Sequence, residues 1–175
     1  MTAILVFLIC SLSPAEAVVT PEGVAGITFE TTREDLNDLF APDDLEDTSE
    51  HLGEGYYARG TVILPGSPWE IAVVWEDDNP GEIRIKGDSL RTEDGIGLGS
   101  TLAELVEISG PVEIAGFAWD MEGFVNLLET PLEGLFIRVT PFGEVPDEFM
   151  GDSMFFSEDM MGMDLRVTDF RIFFR

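Results

Sequence analysis

Eleven residues near the start, Gly26-Ile27-Thr28-Phe29-Glu30-Thr31-Thr32-Arg33-Glu34-Asp35-Leu36, return in outline 69 positions later. The second copy reads Gly95-Ile96-Gly97-Leu98-Gly99-Ser100-Thr101-Leu102-Ala103-Glu104-Leu105, with no gap. Gly-Ile opens both, an apolar residue follows two positions on, and Thr32 falls opposite Thr101. Each threonine has an acid three residues downstream, Asp35 and Glu104. Thr101-Leu-Ala-Glu104 is a capping box, in which hydroxyl and carboxylate satisfy orphan amides at a helix start. Leu36 with Leu39, and Leu105 with Ile108, share one helical face. The first helix, about 32–40, should stop before Ala41-Pro42, because proline disfavours helix in its predecessor. The second, about 101–109, should stop at Gly110-Pro111, with glycine as the left-handed cap. A recurrence of this kind predicts a chain built from two tandem units.

After each helix the pattern turns to strands. Tyr56–Leu64, Trp69–Trp75 and Glu82–Lys86 are β-rich, separated by the turn-forming runs Pro65-Gly66-Ser67 and Asp77-Asp78-Asn79-Pro80-Gly81. Trp69, Ile71, Val73 and Trp75 alternate onto one face. Later come 112–119, 123–128, 134–139 and a last strand near 164–174. In that last run the apolar phase slips from Leu165 and Val167 to Phe170, Ile172 and Phe174, which predicts a bulge near Thr168-Asp169. The expected fold is α+β, with two tandem repeats, 18–90 and 91–175. Each is a short helix packed on an antiparallel sheet of three or four strands. The second repeat carries a Met/Phe-rich acidic insertion at about 141–164.

The charge excludes several classes of function. Thirty-five acidic against nine basic side chains give a formal net charge of −26, while 45 % of residues are hydrophobic. That apolar content distinguishes the chain from a disordered acidic tail. Nucleic acid and anionic membrane surfaces are not expected partners, because both demand a basic patch. Only Lys86 is a lysine. Such acidity suits a saline exterior, where a Debye length of roughly 6 Å or less relieves self-repulsion. GC-rich codon usage on a merely soluble surface is the alternative.

The apolar run Ala3–Cys10, then Ser11-Leu12-Ser13-Pro14 and Ala15-Glu16-Ala17, has the form of a signal peptide over residues 1–17, although it lacks a basic n-region. Cleavage near Ala17 would make the protein periplasmic or secreted. The run is about half the length that spans a bilayer. Cys10 follows Ile9 rather than the small residue that lipoprotein processing requires. Cleavage would leave residues 18–175 without cysteine, and so without disulfide or thiol chemistry.

The segments Thr92-x-x-Gly95-Ile96-x-Leu98-Gly99-Ser100-Thr101-x-x-Glu104-Leu105 and Gly116-Phe117-x-Trp119-Asp120-x-x-Gly123 resemble a motif of uncharacterised bacterial envelope proteins. The resemblance covers about residues 80–128 well and the first repeat loosely. More distantly, the two units are similar to the tandem helix-on-sheet repeat of the β-lactamase inhibitor protein. A single unit also looks like the small lipoprotein of the outer-membrane assembly machine. Both of those act by binding other proteins, which implies another envelope or secreted protein as partner. The likeness assigns no contact residues, and helix-on-sheet similarity is an analogy of fold.

Chemistry-bearing groups are few, and no enzymatic activity or cofactor is expected. His51 is the only histidine and sits in an acidic stretch, read as a loop over 43–50. A zinc site needs several His or Cys ligands. The acidic stretches Asp43–Asp47 and Glu76–Asn79 offer hard oxygens for calcium, but neither matches the twelve-residue loop. Gly95-Ile-Gly97-Leu-Gly99 lacks the lysine of a phosphate cradle, and capping a short helix explains it. Soft thioethers at Met160, Met161 and Met163 are the candidate Cu(I) ligands. Trp69, Trp75, Trp119 with Asp120, Met154, Phe155 and Phe156 are candidate partner anchors, as are Tyr56 and Tyr57, since aromatics and methionine favour protein interfaces. Core burial explains each tryptophan equally well. The expected function is an exported, non-enzymatic protein-binding module of the envelope. The alternative is a metal or small-ligand binder.

Overall fold

The computed structural model describes residues 18–118 and 120–174. Strands β1 (Gly23–Val24) and β2 (Ile27–Thr28) form a hairpin whose turn puts Ala25 and Gly26 at positive φ. Helix α1 (Leu36–Leu39) has only four residues against the expected 32–40. It stops before extended Phe40, as Pro42 requires, but Thr32 does not cap it, since residues 33–35 form a turn and Asp35 is the N-cap with no side-chain cap bond. Four strands follow a 3-10 turn at Pro42–Asp44: β3 (Leu45–Gly53), β4 (Tyr56–Ile63), β5 (Ile71–Glu76) and β6 (Asn79–Ile85). Helix α2 (Leu102–Ser109) opens on the expected capping box and ends at Gly110, φ 75°. The remainder comprises β7 (Glu113–Ala115), β8 (Val125–Asn126), β9 (Leu135–Pro141), β10 (Met154–Phe156), α3 (Ser157–Met160) and β11 (Leu165–Phe173).

The turn and cap hydrogen bonds recur 69 residues apart. Thr32 N donates to Asp35 Oδ2 at 2.7 Å, as Thr101 N does to Glu104 Oε2 at 2.7 Å. Asp35 N returns to Thr32 Oγ1 at 3.3 Å, and Glu104 N to Thr101 Oγ1 at 3.2 Å. Upstream, Thr28 N donates to Thr31 Oγ1 and Gly97 N to Ser100 Oγ.

The fold is α+β with antiparallel sheets, but the strands do not divide into one sheet per half. Six of them make a single sheet in the order β3-β4-β5-β6-β11-β9, every neighbour antiparallel. The smaller sheet β10-β7-β8 takes the rest of the second half. Pairing β11 with β6 removes two edges that would otherwise need cover, and it lets one core serve the whole chain. That core holds Ile63, Ile71, Val73, Ile83, Ile85, Phe170 and Ile172 from the sheet's inner face. Leu36, Leu102 and Leu105 of the two helices belong to the same cluster. β11 shifts register between Val167 and Asp169, the bulge its apolar phase predicts.

Four strands were not legible from periodicity: β1 and β2 have two residues each, β3 occupies the acidic stretch expected as a loop, and β10 lies in the Met/Phe-rich insertion. β3 has no buried residue, so it shows none of the apolar alternation that marks a half-buried strand. No helix among the described residues is long and apolar enough to cross a membrane.

Removing the fully buried Leu105 side chain should cost about 2–5 kcal/mol of stability in denaturant unfolding. Thr101→Ala should cost about 1 kcal/mol. Hydrogen bonds from the Thr101 amide and hydroxyl hold the Glu104 carboxyl below its ordinary value. That contribution is present above the unfolded carboxylate pKa and is lost as pH falls through the folded value. Thr101→Ala keeps the amide donor, so only the hydroxyl's part of the stability gap from wild type, measured by melting, should narrow as pH drops from about 5 to about 3.

Candidate functional site

Three features stand out once the sheet is assembled: a charged outer face, an aromatic groove at one end of it, and an open edge with a cleft at the other.

On the outer face, Arg84 and Arg171 are register partners across the β6–β11 pairing. Between them Glu82 accepts from Arg84 Nε at 2.9 Å and Nη2 at 3.1 Å, and from Arg171 Nη1 at 2.9 Å. Arg84 Nη1 reaches across the sheet to Glu50 Oε2 and to the His51 carbonyl, both at 3.1 Å. Small residues allow this path: Ala72 is the register partner of Arg84, and a Cβ at Gly60 would meet Glu50 Cγ at 2.8 Å. Arg171 also chelates Asp169. Burial works to lower the Arg171 pKa, and the bonds to Asp169 and Glu82 overcome it, so the guanidinium stays charged. Arg84, Lys86 and Arg171 line a hollow of about 390 Å³. Both arginines already spend their N–H groups on carboxylates, which disfavours an anion there.

Next to this network lies an apolar groove of about 410 Å³, whose walls include Phe124, Leu127, Leu128, Leu135, Phe136 and Phe173. Phe136 meets Phe124 in a tilted contact and Phe173 edge-on, at ring-centroid distances of 5.4 and 5.5 Å. The guanidiniums of Arg138 and Arg171 lie 5.8 and 5.3 Å from its centre. Leu128 is 69 % exposed and Phe173 44 %. Exposing such side chains in one groove is unfavourable for an isolated chain.

At the opposite end, β3 is a terminal strand of the sheet. Between α1 and the β3–β4 hairpin lies a cleft of about 520 Å³, lined among others by Arg33, Leu36, Leu45, Asp47, Arg59 and Thr61. Trp75 Nε1 donates to Thr61 Oγ1 at 3.0 Å beside it, and Asp47 is ion-paired to Arg33. Arg59 bonds the Asp77 carbonyl at 2.6 Å.

The residues singled out from sequence scatter over these surfaces. Trp75 is 5 % exposed and its indole N–H is spent on Thr61, so it packs as a core residue; Trp69 is half-buried against the same core. Trp119 lies outside the described residues, while Asp120 is exposed and offers its carbonyl to Arg138. On β10, Met154 and Phe156 are exposed, whereas Phe155 packs against buried Phe149. Met160 is fully buried, Met161 is 45 % exposed and Met163 packs partly on the core, so the three thioethers occupy different environments. Among the described residues no group of three His, Cys, Asp or Glu side chains is placed to hold a metal ion. Glu76–Asn79 is the β5–β6 turn, and Asp43–Asp47 runs from the 3-10 turn into β3. His51 sits on β3 with its ring 5.0 Å from that of Tyr57, and Tyr56 and Tyr57 are exposed at the hairpin's end.

Sequence reasoning missed the Phe124–Phe136–Phe173 groove, because its members come from three segments that only the sheet brings together. It missed the β3 edge as well. There the signal was Gly53-Glu54-Gly55, a turn placed just ahead of a strong strand and hence a sign of a paired strand upstream.

No protein-family model and no curated protein matches the chain. Among solved structures it is similar to the uncharacterized protein yfeY from Escherichia coli, with a TM-score of 0.60 at 14 % identity. The match covers 90 % of this chain and 99 % of that one. At that identity the likeness is one of fold.

Glu82→Ala should destabilise the protein by roughly 3 kcal/mol in urea unfolding, since it leaves two opposed guanidiniums without their shared carboxylate. Exposed Glu46→Ala on β3 should change stability by less than about 0.5 kcal/mol.

Proposed function

We propose that the protein is an exported, non-enzymatic binding module of the cell envelope that docks another envelope or secreted protein on the outer face of its six-stranded sheet. The observation that carries this reading is the exposed aromatic groove built on Phe124, Phe136 and Phe173 and walled by Leu128. A groove of this make-up accepts an apolar anchor from a partner, the arrangement that dominates binding energy in protein interfaces. The chain's net charge of −26 steers the choice towards a basic partner and away from nucleic acid. Export rests on the signal-like pattern of residues 1–17. The recurring turn-and-cap hydrogen bonds support descent of the two halves from one duplicated unit.

The test is a cross-linked pull-down from the envelope and secreted fractions of the source, using wild type and a Leu128→Glu/Phe173→Ser variant at low and high salt. One stoichiometric protein should survive high salt with wild type and fall about tenfold or more with the variant. Capture only at low salt, or equal capture by both, would reject the groove as the docking site.

A further inference from the structure

The two ends of the six-stranded sheet are finished differently. At β9 the edge is covered: Val139 N donates to the Gly123 carbonyl at 2.9 Å, and Phe124 bridges to Arg138. Gly123 is required there, since its φ is 65° and a Cβ would lie 1.9 Å from Val139 O. At β3 nothing among the described residues pairs with the outer side of nine successive residues, Leu45–Gly53. An antiparallel strand with a neighbour on one side leaves every second residue's N–H and C=O pointing outward. Such an edge is a template for another strand, and proteins that must not use it shorten, bend, charge or cover it. β3 is acidic and shifts register between His51 and Gly53, so Leu45–His51 is its regular template and a partner there must offset the charge.

We propose that β3 receives an extended, basic segment of another protein as a seventh strand, a second docking surface separate from the aromatic groove. Charge defines the occupant. Asp43, Asp44, Glu46, Asp47, Glu50 and Glu54 lie on or beside the edge. The cations facing it are already engaged: Arg33 with Asp47, Arg59 with Asp77 and Asp78, and Arg84 with Glu50. A second copy of this chain would set β3 against β3 and oppose like charges, whereas lysine or arginine at cross-strand positions would relieve them. The cleft adds room. Leu45 and Asp47 line it, so side chains of an added strand on that side would enter a space of about 520 Å³ between α1 and the hairpin. Their alternate neighbours would lie over Glu46, Thr48 and Glu50. Strand addition of this type draws affinity from the main chain and selectivity from alternate side chains.

The experiment uses the isotopically labelled chain and a synthetic peptide of about ten residues alternating Lys and Val, enough to span β3. The readout is amide hydrogen exchange residue by residue. Outward amides of Leu45–Gly53 should slow about tenfold or more at saturating peptide. A Glu–Val peptide should bind at least about tenfold more weakly. The Lys–Val peptide N-methylated at alternate amides, which keeps its charge but lacks those donors, should lose the protection. The surface variant Glu46→Lys/Glu54→Lys, which leaves the Arg84–Glu50 and Arg33–Asp47 pairs in place, should bind at least about tenfold more weakly while melting as wild type does. Equal protection by the N-methylated peptide would overturn the proposal in favour of unspecific attraction. Protection confined to other segments would overturn it too, as would a peptide-free dimer in sedimentation with the same β3 amides protected.

Discussion

Two arginines face each other where the first and second halves of the chain join, and the sheet holds there because Glu82 lies between them. The β6–β11 register spans only three residue pairs, Arg84 with Arg171, Ile83 with Ile172 and Glu82 with Phe173. On its inner face the seam is sealed by two buried isoleucines. On its outer face two like charges would repel in a partly dry setting, and the bidentate and bridging bonds of one carboxylate convert that repulsion into a network. Everything that makes this one sheet rather than two passes through those few residues.

A sheet with one core face must do something with the other. Here the centre is screened by the long side chain of Arg84, lying over small residues and anchored at Glu50. Towards β9 the cover gives way to aromatic rings stacked with guanidiniums, and towards β3 it ends in open backbone. The proposed docking role rests on this uneven finish, because a surface needed only for solubility would not gather Phe124, Phe136 and Phe173 into one groove. It would also not leave uncovered a long edge guarded by charge and by one register shift between His51 and Gly53.

Legibility in the sequence followed burial. β4, β6, β9 and β11 announce themselves because one of their faces enters the core and imposes a two-residue period, while β5, buried on both faces from Ile71 to Trp75, reads as a short apolar run between turns. The bulge in β11 appears as a slip in that period. Helix α2 is readable from Thr101 and Glu104 alone, since a capping box is a local device that needs no tertiary partner. β3 was missed for the complementary reason. Both its faces are polar, so nothing in Leu45–Gly53 distinguishes a strand from a loop except the Gly53-Glu54-Gly55 turn behind it. The tryptophans invited an interface reading, yet Trp75 is a core residue whose polar atom is satisfied inside.

By itself the sequence determined what is local: where turns fall, how α2 is capped, and which residues alternate. Those properties depend on neighbours within a few positions. Only the tertiary structure decided that both halves share one sheet, that Glu82 bridges arginines 89 and 2 positions away in sequence, and that three phenylalanines form one groove. It also decided that β3 stands at an uncovered edge. Such facts come from pairing distant strands, whose order is chosen by the burial of the whole core and not by any segment's own preference.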